Sequence, residues 1–132
     1  MKSNEPLKVG DELPKFILKD QHGNEYNIQN DLGKKNLVIY FYPKDDTPGC
    51  TKEACKFRDD YHIFTDLNAK VIGISSDNVK SHADFAAKYN LPFTLLSDLD
   101  NELRKEFGVP ANMFGLVPGR VTYVVGMDGK IK

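Results

Sequence analysis

The chain has 132 residues, a single-domain length, and its 40% apolar content suffices to bury one core. Eighteen Lys plus Arg stand against nineteen Asp plus Glu, a formal net charge of -1. That balance excludes the broad basic field that draws proteins to nucleic acid or anionic membranes. Met1-Lys2-Ser3-Asn4-Glu5-Pro6 lacks both the basic segment and the apolar stretch of a secretory signal. The longest apolar run, Leu37 to Tyr42, is far short of the roughly 20 residues that cross a bilayer. A soluble, cytoplasmic protein is therefore expected.

No repeat, low-complexity tract or Ser/Gly-rich linker interrupts the sequence, so residues 1–132 are read as one domain. Phe16–Leu18 and Tyr26–Ile28 flank the turn signal Gln21-His22-Gly23-Asn24 and predict a small N-terminal hairpin. Asn36–Tyr42 is a β-branched and aromatic run that fits a strand buried on both faces. From Ala54 onward, Phe57, Tyr61, Phe64 and Leu67 recur at spacings of three and four, predicting one helix with one buried stripe. Val71–Ile74 reads as a second strand. Val79, Ala83, Ala86 and Tyr89 predict a second helix, capped by Ser76 or Asp77. Thr94–Leu96 is a weaker strand, and Leu103 with Phe107 suggests a short helix stopped by Gly108. Val121–Val125 is a last strand, followed by the turn pair Asp128-Gly129. Strands alternating with helices predict an α/β domain, a central mixed β-sheet flanked by helices. A thioredoxin-like arrangement is one of several compatible with this order.

The chemistry-bearing stretch is Tyr42-Pro43-Lys44-Asp45-Asp46-Thr47-Pro48-Gly49-Cys50-Thr51-Lys52-Glu53-Ala54-Cys55. It follows the most apolar strand and runs into the first helix, and α/β ligand sites gather beyond the carboxyl ends of strands. Cys50 would stand in the first helical turn, where unpaired N–H groups and the helix dipole favour an anion such as a thiolate. Thr47 is placed to direct its hydroxyl at the sulfur, and Pro43 and Pro48 stiffen the loop. Taken singly, Thr47 also fits a helix cap and Pro43 a strand terminator.

With only two cysteines and no secretory signal, a structural disulfide framework is not indicated. Buried filler, metal ligation and redox chemistry remain. His22, His62 and His82 do not cluster with the cysteines in sequence, and the spacing suits neither a zinc site nor a Cys-x-x-Cys motif. Residues five apart on a helix are rotated by ~140° and raised by ~7.5 Å. Their Cα atoms then lie roughly 8–9 Å apart, beyond a relaxed disulfide, so Cys50 and Cys55 could pair only if the helix unwinds.

Pro43-x-x-x-Thr47-Pro48-Gly49-Cys50 resembles the signature of the peroxiredoxins, and Cys55 five residues on resembles their PrxQ, or bacterioferritin comigratory protein, branch. Val9-Gly10-Asp11-x-x-Pro14-x-Phe16, Val71-Ile72-Gly73-Ile74-Ser75, Leu91-Pro92-Phe93 and Phe107-Gly108-Val109 extend the similarity along the chain. The resemblance implies a thioredoxin-like fold and an antioxidant thiol peroxidase that reduces hydrogen peroxide and organic hydroperoxides without metal or organic cofactor. It implies Cys50 as the peroxidatic cysteine, oxidised to a sulfenic acid, and Cys55 as the resolving cysteine that closes an intramolecular disulfide. It further implies pocket roles for Pro43 and Thr47, and an arginine from a later strand. Arg120, in Pro118-Gly119-Arg120-Val121-Thr122, fits that position. The implied partners are the peroxide and a thioredoxin-like or other dithiol reductant, and the expected state is a monomer. The family continues through a further strand and C-terminal helix, which are expected to be missing from this sequence. Two other readings compete: a thioredoxin-fold scaffold whose thiols act as a switch, and an oxidoreductase acting on protein disulfides.

Overall fold

In the computed structural model the described residues are 7–109, 111–112, 117–118 and 120–132. The segment Met1–Pro6 and Gly119, beside Arg120, lie outside them. The elements are β1 (Ile17–Asp20), β2 (Glu25–Asn27), β3 (Asn36–Phe41), α1 (Pro48–Asp59), α2 (Tyr61–Asp66), β4 (Ala69–Ser75), α3 (Val79–Tyr89), β5 (Thr94–Ser97), α4 (Glu102–Phe107), β6 (Ala111–Asn112), β7 (Val117–Pro118) and β8 (Val121–Val125). Six strands form one mixed sheet in the order β2-β1-β5-β4-β3-β8, and β6 pairs with β7 separately. Among the described residues no helix is long and apolar enough to cross a membrane.

The expected α/β layering is present, and β3 is its centre. It runs parallel to β4, with Val38 beside Val71 and Phe41 beside Ile74, and antiparallel to β8, with Leu37 beside Val125 and Phe41 beside Val121. Side chains alternate across a strand. Leu37, Ile39 and Phe41 therefore enter one apolar cluster with Ile72, Ile74, Leu96, Leu103, Phe107 and Tyr123. Val38, Tyr40 and Tyr42 enter the other, with Cys50, Ala54, Val71, Phe85 and Leu95. The second cluster is roofed by α1, α2 and α3, while α4 covers the first.

The N-terminal hairpin forms, with Leu18 opposite Tyr26, around a turn in which Asp20 Oδ1 accepts from the N–H groups of His22 and Asn24. It is not an appendage, because β1 also pairs antiparallel with β5 and so extends the main sheet. Three other expectations are corrected. The single helix after Ala54 is two, because the chain breaks at Asp60, and Leu67 is 63% exposed as the C-cap of α2. The cap of α3 is Asn78, whose side chain accepts from Ser81 N at 2.8 Å, not Ser76 or Asp77. The stripe of α3 is centred on buried His82 and Phe85, with Ala86 and Tyr89 packed beside them, and Val79 and Ala83 lie at its margin.

Close packing at Gly73 on β4 gives a direct test. A Cβ there would lie 2.8 Å from Cζ and the hydroxyl of Tyr40 and 2.9 Å from Leu95 Cδ2. Gly73→Ala is expected to lower stability by about 1–3 kcal/mol through overpacking. Urea unfolding should show a reduced midpoint at unchanged slope, and a midpoint equal to that of the native chain would contradict the packing.

Candidate active site at the C-terminal end of β3

Tyr42 N is the last group tied to the neighbouring strand, donating to Ile74 O at 3.1 Å, and the chain then leaves the sheet through Pro43–Thr47. Pro43 is half-buried at this exit. Thr47 is the N-cap of α1, with extended backbone (φ −93°, ψ 154°), and Pro48 follows in the first turn, where its missing N–H costs nothing. Thr47 Oγ1 donates to Lys44 O at 2.8 Å and makes no capping bond to the helix. Among the described residues the first-turn N–H groups have no side-chain acceptor, an arrangement that suits an anion at the helix N-terminus.

Cys50 stands in this turn and is 1% exposed, packed in the cluster that holds Tyr40, Tyr42 and Ala54. Cys55 is half-buried further along the same uninterrupted helix, and both are free thiols. The structure thus brings Pro43, Thr47 and Cys50 to one end of the sheet and leaves Cys55 apart, with the helix intact between the two sulfurs.

Arg120 arrives by register. Because Phe41 pairs with Val121, the residue before β8 lies beside the exit of β3. Its guanidinium packs so closely on Gly49 that a Cβ there would overlap it. Glycine is therefore required next to Cys50 for the cation to come this near. Arg120 Nη1 is 4.0 Å from Glu53 Oε1, and the arginine side chain is 41% exposed. Glu53 was not singled out from the sequence. The signal was its spacing, one helical turn after Cys50 on the same face. Its Oε1 is buried without a hydrogen-bond partner among the described residues. Burial pushes the Glu53 carboxyl above the usual glutamate range, with Arg120 opposing the shift. The Tyr40 hydroxyl is likewise buried and makes no hydrogen bond among the described residues. Burial, with Glu53, Asp45 and the two cysteines adding, holds its phenol well above the ordinary tyrosine value.

A second polar cluster was also missed. Asp45, in the loop, accepts from Tyr42 Oη at 2.5 Å and from Ser81 Oγ at 2.8 Å, and faces His82 Nδ1 at 2.7 Å. Asp77 Oδ2 accepts from Asp45 N at 2.7 Å and from Ser75 Oγ at 2.7 Å. Asp45, Asp77 and His82 present possible metal-ligand atoms within 4.8 Å of one another. Each is already engaged by protein groups, so the cluster reads as a hydrogen-bonded node and not as an open coordination sphere.

The AhpC/TSA family model matches residues 9–132. Peroxiredoxin Q, chloroplastic, of Populus jackii is 54% identical over 126 residues, covering 96% of this chain and 59% of that protein. The peroxiredoxin Q of Sedum lineare is 53% identical over 123 residues, covering 93% and 66%. The chain thus spans less than two thirds of the length of these curated relatives. Among solved structures, the peroxidoxin BcpB of Mycobacterium tuberculosis has a TM-score of 0.86 at 38% identity, covering 95% of this chain and 82% of that one. A Xanthomonas campestris bacterioferritin comigratory protein, studied for its alkyl peroxide reduction activity, has a TM-score of 0.81 at 38% identity, covering 88% and 76%.

The Glu53 carboxyl gives a test of the site's electrostatics. Its raised value means that the folded chain holds this proton more tightly than the unfolded chain. The associated stability is present in acid and is lost as pH rises through the folded-state value. Glu53→Gln keeps the shape and removes the charge, so its stability relative to native should improve from about pH 4 to pH 7. Urea unfolding at the two pH values measures this. An increment that is equal at both, or that worsens toward pH 7, would contradict the burial cost.

Proposed function

Because this chain belongs to the AhpC/TSA family of peroxiredoxins, we propose that it is a thiol-dependent peroxidase in which Cys50 attacks a peroxide and Cys55 resolves the product. The observation that carries this is the Arg120 guanidinium seated on Gly49, next to a cysteine in the first turn of α1. A protein-disulfide site has no need of a fixed cation there. A peroxide site does, because negative charge moves from sulfur to the departing oxygen during attack. The alkyl peroxide reduction of the Xanthomonas campestris relative supports the same substrate class, hydrogen peroxide and organic hydroperoxides.

The chemistry balances without a metal or organic cofactor. The Cys50 thiolate attacks the terminal peroxide oxygen, an S–O bond forms, and the O–O bond breaks. The departing alkoxide or hydroxide takes up a proton and leaves as alcohol or water. Sulfur is oxidised to a sulfenic acid and the peroxide is reduced. Arg120 and the first-turn N–H groups stabilise the charge as it moves, and the Thr47 oxygen, whose hydrogen is held by Lys44 O, accepts from the peroxide O–H and helps hold it in line. Pro43 shapes the loop wall. The Cys55 thiol then attacks the sulfenic sulfur, giving a disulfide and water. An external dithiol of the thioredoxin type restores both thiols by exchange and is itself oxidised. Both cysteines lie in one helix, so resolution requires no second subunit. Recycling requires a thiol-reducing compartment, for which we take the cytosol.

One equivalent of hydrogen peroxide added to the reduced protein should remove both free thiols and yield the mass of a monomer with one internal disulfide. Survival of both thiols beside unconsumed peroxide would sink the proposal. Cys50→Ser is expected to abolish consumption, and Cys55→Ser to allow one turnover that stops at the sulfenic acid. Arg120→Ala should slow Cys50 oxidation by about a hundredfold, the usual loss when one fixed donor to a developing oxyanion is removed. Since α1 is continuous through both cysteines, the oxidised form must open part of it. Amide exchange over residues 48–58 should therefore be faster in the disulfide form, and equal protection in the two forms would exclude a Cys50–Cys55 bond.

A further inference from the structure

The node around Asp45 has no assigned part in this chemistry, yet it holds the loop that leads to Cys50. Asp45 lies two residues before Thr47. Its carboxylate receives Tyr42 Oη and Ser81 Oγ, and its Oδ2 lies 2.7 Å from His82 Nδ1. On the far side of the imidazole, His82 Nε2 is 3.0 Å from Leu96 O. A carbonyl only accepts, so Nε2 carries a hydrogen and donates. His82, fully buried on α3, is therefore strung between the backbone of β5 and the loop. The anchor is doubled by Asp46, whose backbone is left-handed (φ 58°) and whose carboxylate meets Lys88 Nζ at 2.8 Å and Tyr89 Oη at 2.7 Å. A non-glycine residue in that conformation persists only where its surroundings over-determine it.

The loop transmits this anchoring to the site. The Thr47 hydroxyl bonds Lys44 O, closing a ring of backbone that contains Asp45 and Asp46. A shift of Asp45 thus moves both the Thr47 hydroxyl and the first turn of α1. Asp45 and Asp46 lie before Pro48, and Ser81 and His82 lie on α3, so the node is outside the helix that has to open for a Cys50–Cys55 bond.

We propose that His82 is a positioning residue for the peroxide site: through its hydrogen bond to Asp45 it sets where the Thr47 hydroxyl and the Cys50 turn stand, a role that rests on the peroxidase reading above. Such a role differs from that of a core histidine that merely fills space, because it depends on which ring nitrogen is kept. His82→Asn carries an amide nitrogen at the Nδ1 position and retains a donor to Asp45. His82→Gln carries one at the Nε2 position and retains only the bond to Leu96 O.

Stopped-flow oxidation of Cys50 by hydrogen peroxide, Cys50 alkylation by iodoacetamide and urea unfolding would be measured on the native chain, both variants and Ser81→Ala. His82→Gln should slow peroxide oxidation about tenfold or more, while His82→Asn stays within about threefold of native, as expected for a loss of reactive geometry. Alkylation, which needs no aligned peroxide, should stay within about threefold of native in both. Ser81→Ala removes a half-buried donor from the same carboxylate and keeps the assay informative if a histidine variant fails to fold. It should slow peroxide oxidation measurably at unchanged alkylation. Equal peroxide rates in the Asn and Gln variants would overturn the positioning role, as would losses that track the urea midpoint or a Ser81→Ala rate equal to native. A native chain inert to peroxide would overturn the peroxidase reading and this role together, whereas an active native chain with an unaffected Gln variant would overturn the role alone.

Discussion

Everything at the site follows from the burial of β3 on both faces and both edges. A strand paired to β4 on one side and β8 on the other has no freedom to slide, because a slip of one residue would exchange its two sets of apolar side chains. Its carboxyl end is consequently a fixed point, from which the Pro43–Thr47 loop departs. The same pairing delivers Arg120, since an antiparallel partner that ends opposite Phe41 must begin beside the loop. From the other layer, Arg104 on α4 donates to Tyr42 O at 3.2 Å, with its guanidinium 5.5 Å from the centre of the Phe41 ring. The thioredoxin-like fold thus serves as a frame that converges groups distant in sequence on one strand end.

Polar burial takes two opposite forms around that strand end. At Asp45 the carboxylate oxygens are met by hydroxyls and an imidazole, and the backbone N–H beside them has an acceptor. At Glu53 Oε1 and the Tyr40 hydroxyl no hydrogen bond is made among the described residues, although Arg120 Nη1 stands 4.0 Å from the carboxylate. An unmet buried group costs roughly 1–3 kcal/mol, and native proteins hold few of them. The satisfied cluster sits under the loop, which must keep its shape. Glu53 and Tyr40 belong to the neighbourhood of the two sulfurs.

What the sequence disclosed was what is encoded locally. The apolar run of β3, the helix start at Pro48 and the place of Cys50 in the first turn all depend on neighbouring residues. Arg120 was legible only through resemblance to a family, since its approach to Gly49 depends on strand pairing. His82 and Asp45 are 37 positions apart, and a histidine inside a helical stripe looks like an interruption of it until its partner is seen. The phase of α3 was misread for that reason: the apolar residues Val79 and Ala83 were counted, while the buried His82 and Phe85 were not. The break at Asp60 carries no Pro or Gly, so periodicity ran straight through it. Asn78 was passed over in favour of Ser76 and Asp77 because all three are good caps, and only the folded turn selects among them.

The continuity of α1 has a consequence for how such a molecule tolerates improvement. If every turnover passes through a Cys50–Cys55 bond, a small unfolding reaction is built into the working cycle. Substitutions that strengthen the helix between the cysteines would make the resting enzyme sturdier to heat and at the same time slower to recycle. A thermostable variant would have to draw its gains from the sheet and from α3 and leave this stretch weak. Limited helix strength between residues 48 and 58 would in that case be a requirement, and adaptation to hot or cold surroundings would have to retune it.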